Sequence, residues 1–366
     1  MDPEALRADI PACESCTYLN TGASGPSPRR VVEAATGAVE HHEFETHCGE
    51  GPYQYVFGEI DDVREQVADF VGAETDEIAM TESTADGIST VAAAVPWVAG
   101  DTVVRTDLEH PAGTLPFERA RDLCGAEVRE LETEAGRLDM DALKDAVADA
   151  RLLVLSSLSW NYGTQLRVAE AVDIAHDAGA QVLVDAVQTV GQQPLDVKSW
   201  GADFVACAGH KWLLGPWGAG ILYADREAVE TLEPRRAGYR SVEATDDGWG
   251  YLPGARRFEM GTASPGPIAG LSAAIDTIES VGMDTVTDRI ERLTDRLKDG
   301  LGDRCLSPAG YESGLVTFEA EDPEATVERL AGEGIQIRTL PEPEACRASV
   351  HAFNTAEDID RLLAAL

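Results

Sequence analysis

From about residue 78 to residue 225, short apolar runs alternate with amphipathic stretches, and this rhythm constrains the fold more than any other feature of the chain. Thr102–Thr106, Arg151–Ser156, Gln181–Asp185, Ala202–Cys207 and Gly220–Tyr223 read as short, buried strands. Between them, the segments near Leu115–Cys124, Met140–Ala150 and Val168–Ala178 carry helical spacing of apolar residues. Gly179 stands just past the last of these as a stop signal. Strands alternating with helices predict an α/β fold: a mostly parallel sheet with helices on both faces.

Beyond Pro267 the pattern changes. Leu271–Leu301 reads as one or two long helices rich in Asp and Arg. Gly314–Phe318, a helix over Glu324–Gly332, Ile335–Arg338, Ala348–Phe353 and a last helix from Ala356 then predict a smaller α/β unit. The expected organisation is an N-terminal arm over residues 1–20, a large domain over 21–260 and a small C-terminal domain over 261–366. A chain of 366 residues accommodates these units.

Charge narrows the function classes. Asp and Glu number 66 against 29 Lys and Arg, a formal charge of −37, with the acids dispersed along the chain. Dispersed acids indicate a solvated surface, and at molar salt, where the Debye length is about 3 Å, their repulsion is largely screened. A halophile's cytoplasmic enzyme is the expected setting. Such a surface repels nucleic-acid phosphates. The chain has no apolar run of membrane-spanning length and does not open with a signal peptide, so neither a membrane nor a nucleic acid is expected as partner. Seven cysteines imply no disulfide framework, and Cys13-x-x-Cys16 lacks a second pair at zinc spacing; no metal is expected.

Scarcity singles out one lysine. The chain has four: Lys144, Lys198, Lys211 and Lys298. Lys211 follows the predicted strand over 202–207, and Asp185 ends the neighbouring strand. In open α/β sheets the carboxyl ends of strands face the ligand crevice, where a buried lysine is costly unless it is neutralised or used covalently.

Leu183-Val-Asp-Ala-Val-Gln188, followed by Ala208-Gly-His-Lys211-Trp-Leu-Leu-Gly-Pro-Trp-Gly-Ala-Gly220, resembles the core signature of class V, fold-type I pyridoxal-phosphate enzymes. The resemblance runs from Tyr18-Leu-Asn-Thr-Gly to the C-terminal segment. It implies pyridoxal 5'-phosphate as cofactor, with Lys211 holding it as a Schiff base and then moving the substrate's α-proton. It further implies Asp185 at the pyridinium nitrogen, Gln188 at the phenolic oxygen, His110 stacked on the ring and Asn161 as another contact to cofactor and substrate. The phosphate would sit at Ser83, Thr84 and Ala85, where a helix begins, with His210 alongside. Gly261-Thr262 resembles the segment that reaches a partner subunit's phosphate, which implies a homodimer with Thr262 contributing across the interface.

Arg347 resembles the arginine that clamps a substrate α-carboxylate, and Arg338 is a second candidate for a small amino-acid substrate. In cysteine desulfurases a loop carrying a persulfide cysteine follows the first arginine; here eight residues separate Arg338 from Arg347, and that loop is missing. Cys346 stands at a position resembling a structural cysteine. The compact segment favours β-elimination of the cyst(e)ine C–S lyase kind. An aminotransferase or an amino-acid epimerase uses the same carbanion, a desulfurase would need its thiol, and a catalytically silent scaffold is the non-enzyme alternative.

Overall fold

The computed structural model describes every residue except Asp247. Seven strands form the central sheet: β1 (Ile78–Thr81), β2 (Thr102–Thr106), β3 (Glu127–Leu131), β4 (Ala150–Ser156), β5 (Gln181–Asp185), β6 (Phe204–Ala208) and β7 (Gly220–Ala224). Their spatial order is β1-β7-β6-β5-β4-β2-β3, and β7 alone runs against its neighbours. The mostly parallel sheet expected from the alternating pattern is therefore present.

Both faces of the sheet are buried, and strand period assigns the residues. Val182 and Val184 enter one core while Leu183 enters the other; Leu153 and Leu155 are likewise separated from Leu152 and Val154. A sheet covered on both sides needs apolar residues at every position, so these strands are continuous apolar runs. The helix Val168–Asp177 ends as expected: Gly179 has φ +84° and donates its N–H to the carbonyl of His176.

The sense of the strands builds the site. Thr81, Thr106, Ser156, Asp185 and Ala208 all end their strands on one edge of the sheet, and Gly220 begins β7 there. The loops that follow β1, β2, β4, β5 and β6 leave this edge toward the same space.

A second sheet contains β8 (Leu315–Phe318), β9 (Arg338–Pro341) and β10 (Glu344–Ser349), antiparallel in the order β8-β10-β9. Leu297, Leu330, Ile359 and Leu362 from three helices fill the core beside it, and Leu19 joins them. Thr17–Tyr18 pairs in parallel with Ile335–Gln336, so the chain start is bound to this unit. The segment expected as one strand over Ile335–Arg338 divides in two because its halves hydrogen-bond different partners. The long helical stretch breaks at Gly282, φ +89°, into Pro265–Val281 and Met283–Leu301. The first is largely buried and packs on the helices Arg29–Phe44 and Pro52–Val71. Among the described residues, no helix is long and apolar enough to cross a membrane.

Candidate active site

A cavity of about 250 Å³ opens at the carboxyl edge of the large sheet. Its wall includes Ser83, Thr84, Ala85, His110, Asp185, Gln188, His210, Lys211, Arg338 and Arg347. Ten residues singled out from separate segments thus meet in one space.

Lys211 lies on the loop after β6, partly accessible from the cavity. Burial, joined by the charges of Arg347 and Arg338, lowers its pKa to about 8 against the opposing pull of Asp185. Asp185 ends β5, and its Oδ1 accepts from the Val187 N–H at 2.9 Å. Burial raises its pKa, while that hydrogen bond and the Lys211 charge pull the other way.

His110 caps the helix Pro111–Cys124, and its Nδ1 accepts from the Ala112 N–H at 3.2 Å. Desolvation of the ring, then the charges of Lys211, Arg338 and Arg347, push its pKa down to about 4. The ring is therefore neutral at neutral pH, with its proton on Nε2. His210 is likewise pushed down to about 4, by burial and by Lys211.

Ser83 caps the helix Thr84–Ala94, its Oγ accepting from the Asp86 N–H. Thr84 is buried and its Oγ1 has no hydrogen-bond partner. A free hydroxyl and free N–H groups at a helix N-terminus make a site suited to an anion.

Arg338 and Arg347 face each other as register partners on β9 and β10. Like charges so placed repel unless an anion joins them. Arg347 is fully buried; its Nη1 donates to the Trp160 carbonyl at 2.6 Å, while Nε and Nη2 find no partner. Burial and Arg338 lower its pKa to about 9. Arg338 lies over the Trp160 ring at 5.7 Å, and that ring meets His110 edge-on at 5.5 Å.

Two of the candidates lie elsewhere. Asn161 does not line this cavity: its amide is taken up by Ser159 Oγ and the carbonyl of Glu342, and the adjacent Trp160 faces the cavity instead. One step along the chain reverses which side chain points inward. Thr262 is exposed in a separate cavity of about 390 Å³ with Arg236, Arg240 and Glu259.

Gly22, Ala23 and Glu109 complete the site. Gly22 and Ala23 line the wall, and nearby Gly25 approaches so closely that a Cβ there would meet the Lys211 carbonyl at 2.0 Å. Glu109 is buried and accepts from Thr106 Oγ1, the Ser156 N–H and Ser156 Oγ, tying the His110 turn to two strand ends. Its pKa rises to about 7, chiefly through burial, against those hydrogen bonds. Its position beside His110 was the available signal.

The seven cysteines are free thiols and none lines the cavity. Cys346 is fully buried in the C-terminal core, its thiol directed to the Pro323 carbonyl.

Residues 17–362 match the family model "Aminotransferase class-V". The chain belongs to that family. A "Probable cysteine desulfurase" of Methanothermobacter thermautotrophicus is 33% identical, the match covering 99% of this chain and 96% of the relative. An apo cysteine desulfurase structure from Thermococcus onnurineus NA1 superposes with a TM-score of 0.91 at 29% identity, covering 100% of this chain and 97% of that one. The cystine C–S lyase C-DES, in complex with its product cysteine persulfide, superposes with a TM-score of 0.92 at 28% identity, covering 97% and 98%. A lysine mutant of C-DES carries glycine covalently linked to its pyridoxal-phosphate cofactor. A chain of this family with this fold is a pyridoxal-phosphate enzyme. The cavity fits that cofactor: a helix N-terminus with a buried, unpaired hydroxyl at Thr84, a buried carboxylate at Asp185 and a lysine of lowered pKa share its wall.

Proposed function

We propose that this enzyme is a C–S lyase acting on cystine or cysteine by α,β-elimination, releasing a persulfide or sulfide with pyruvate and ammonia. The absence of any cysteine from the cavity wall carries the reading. β9 and β10 are joined through the pair Pro341 and Glu344, which leaves a two-residue turn and no loop to carry a mobile thiol. A desulfurase needs a thiolate that can reach the substrate sulfur. Elimination needs none, since the sulfur leaves with its own substituent.

When bound, the cofactor supplies an electron sink for the pair left at the α-carbon. Lys211 Nζ would hold the cofactor and move the proton at that carbon, and a pKa of about 8 suits it to both taking and returning the proton. Asp185 would keep the ring nitrogen protonated. Thr84, with Ser83, Ala85 and His210, would hold the phosphate. Neutral His110 can lie against the ring face without adding charge. Arg347, with two free donor groups, would fix the α-carboxylate, and Arg338 can take the second carboxylate of cystine.

The second reading, cysteine desulfurase, is favoured by the names of the sequence relatives. Product analysis separates them: with cystine or cysteine as substrate, a lyase yields pyruvate, whereas a desulfurase yields alanine. Alanine without pyruvate overturns the lyase reading, as does amino transfer to a keto acid.

A homodimer is part of the proposal. Thr262, exposed and outside its own chain's Lys211 cavity, is available to a second copy. The formal charge of −37 supports a salt-rich cytoplasm as the working medium.

A further inference from the structure

Trp212, next to Lys211, heads the large side chains that the fold buries completely. Its indole N–H donates to Gln188 Oε1 at 2.8 Å, and Gln188 Nε2 donates to the Gly22 carbonyl at 3.1 Å. Each partner plays a single role: an indole N–H only donates and a carbonyl only accepts. Turning the amide over would set carbonyl against carbonyl and N–H against N–H, so one orientation is fixed. An amide nitrogen has two hydrogens and Gly22 takes one. Gln188 lines the cavity, and the second hydrogen of its amide nitrogen remains to be donated there.

Trp212 is itself held from several sides. His351, also fully buried, is paired through Nε2 with the Trp212 carbonyl at 2.9 Å. Since a carbonyl only accepts, Nε2 is the donor. The His351 ring stacks on the indole at 5.8 Å and on Phe353 at 5.1 Å, each pair inclined by 20°. Gly314 closes the remaining side: a Cβ there would come within 2.9 Å of the indole ring.

We propose that Trp212 is a positioning residue that locks the Gln188 amide as a hydrogen-bond donor to the phenolic oxygen of bound pyridoxal phosphate. The proposal rests on Gln188 as the contact to that oxygen. A donor there stabilises the oxygen as an anion and lowers the pH at which the bound cofactor loses its proton; a carbonyl oxygen in its place does the reverse.

The test is a spectrophotometric pH titration of the cofactor-loaded enzyme without substrate, in wild type, Trp212→Phe, Gln188→Leu and the double variant. Asp185, His110, His210, Lys211, Arg338 and Arg347 surround the same cavity and are retained in all four, so differences report the amide. Trp212→Phe is expected to raise the midpoint of the visible band by roughly one pH unit, the scale of one hydrogen bond to a charged group. Gln188→Leu should raise it similarly, and the double variant no further, because both act through one contact. A midpoint moved by Gln188→Leu but not by Trp212→Phe, or additive shifts, overturns the role of Trp212. A midpoint that Gln188→Leu leaves in place overturns the Gln188 contact itself.

If Trp212→Phe does not fold, proton exchange of the Trp212 indole N–H supplies the answer. Loading the cofactor should slow exchange in wild type and not in Gln188→Leu. The same change in both proteins overturns the lock.

Discussion

The two ends of the cavity are built on opposite principles. At the sheet edge, Asp185 accepts from Val187, Gln188 is held between Trp212 and Gly22, and Glu109 is satisfied by Thr106 and Ser156. Facing them, Arg347 buries a guanidinium with two unpaired nitrogens, opposite a second arginine. Apart from the Thr84 hydroxyl, the first end holds these groups in place before anything binds. The second stores an unfavourable arrangement that an anion relieves. A buried charge without its counter-charge lowers stability, so the arginine end sacrifices fold stability for carboxylate affinity.

Replacing Lys211 gives the largest expected effect. Lys211→Ala should lower kcat/KM by at least roughly a thousandfold, since the proton-moving group is lost. Pyruvate release from cystine measures it. Cofactor should still bind through the Thr84 end, without covalent attachment.

Arg347→Met addresses the contrast directly. It should lower kcat/KM by about a hundredfold to a thousandfold, the scale of losing a buried charge-assisted pair. The same change should leave the melting temperature of the ligand-free protein unchanged or higher, since a buried unpaired charge disappears. A large fall in melting temperature would show that Arg347 is satisfied in the free protein, and the contrast between the two ends would fail.

Lys211 also makes stability depend on pH. Its folded pKa lies near 8 against an ordinary 10.5. Between those values the unfolded chain holds a proton that the folded chain has released. Stability of the cofactor-free protein should therefore climb as pH rises from about 8 to 10.5, and the penalty is fully present below 8. The gain is at most about 3 kcal/mol. Denaturant titrations across that range, repeated on Lys211→Met, should show a steeper climb in the parent protein, the difference being the share of Lys211 beside that of Arg347 above pH 9.

Thr84→Val replaces an unpaired buried hydroxyl by a methyl group. Cofactor affinity should fall about tenfold, as for one hydrogen bond to a charged oxygen. Cofactor-free stability should hold or rise slightly. Equilibrium cofactor titration and thermal unfolding check the two halves, and a loss of stability would mean that Thr84 has a partner in the free protein.

How much of this was legible in the sequence follows the same division. Strands buried on both faces must be apolar throughout, so β4 and β5 stand out, and the groups at their ends follow from position. The Lys211, Asp185 and Gln188 segments are contiguous with such strands. Asn161 and Trp160 show the limit: they lie in a loop beyond β4 held by tertiary contacts with no local signal, among them Thr317 Oγ1 to the Asn161 carbonyl and Arg347 to the Trp160 carbonyl. Glu109 was hidden for a related reason: in an acidic chain a single acid does not stand out, and its place beside His110 was the one signal it offered. Trp212 was visible only as an aromatic residue beside the lysine, and its role depends on His351, far along the chain.

The smallest expected effect tests the chemistry most sharply. Cys346 adjoins Arg347 in sequence, but successive residues of β10 point to opposite sides, and its thiol lies in the C-terminal core. Burial raises its pKa to about 11, so little thiolate is present at neutral pH, and the thiol has no route to the cavity. Cys346→Ala should therefore leave turnover of cystine within about twofold, with a modest stability loss of about 1 kcal/mol from the lost packing. Sulfur transfer through a protein persulfide would instead collapse if Cys346 carried it. Loss of turnover in a variant that still folds and binds cofactor would require the C-terminal strand to move, bringing the core side of β10 to the arginine side. That outcome would replace elimination by desulfuration and erase the distinction between a filled core and an open anion site on which the reading of this cavity depends.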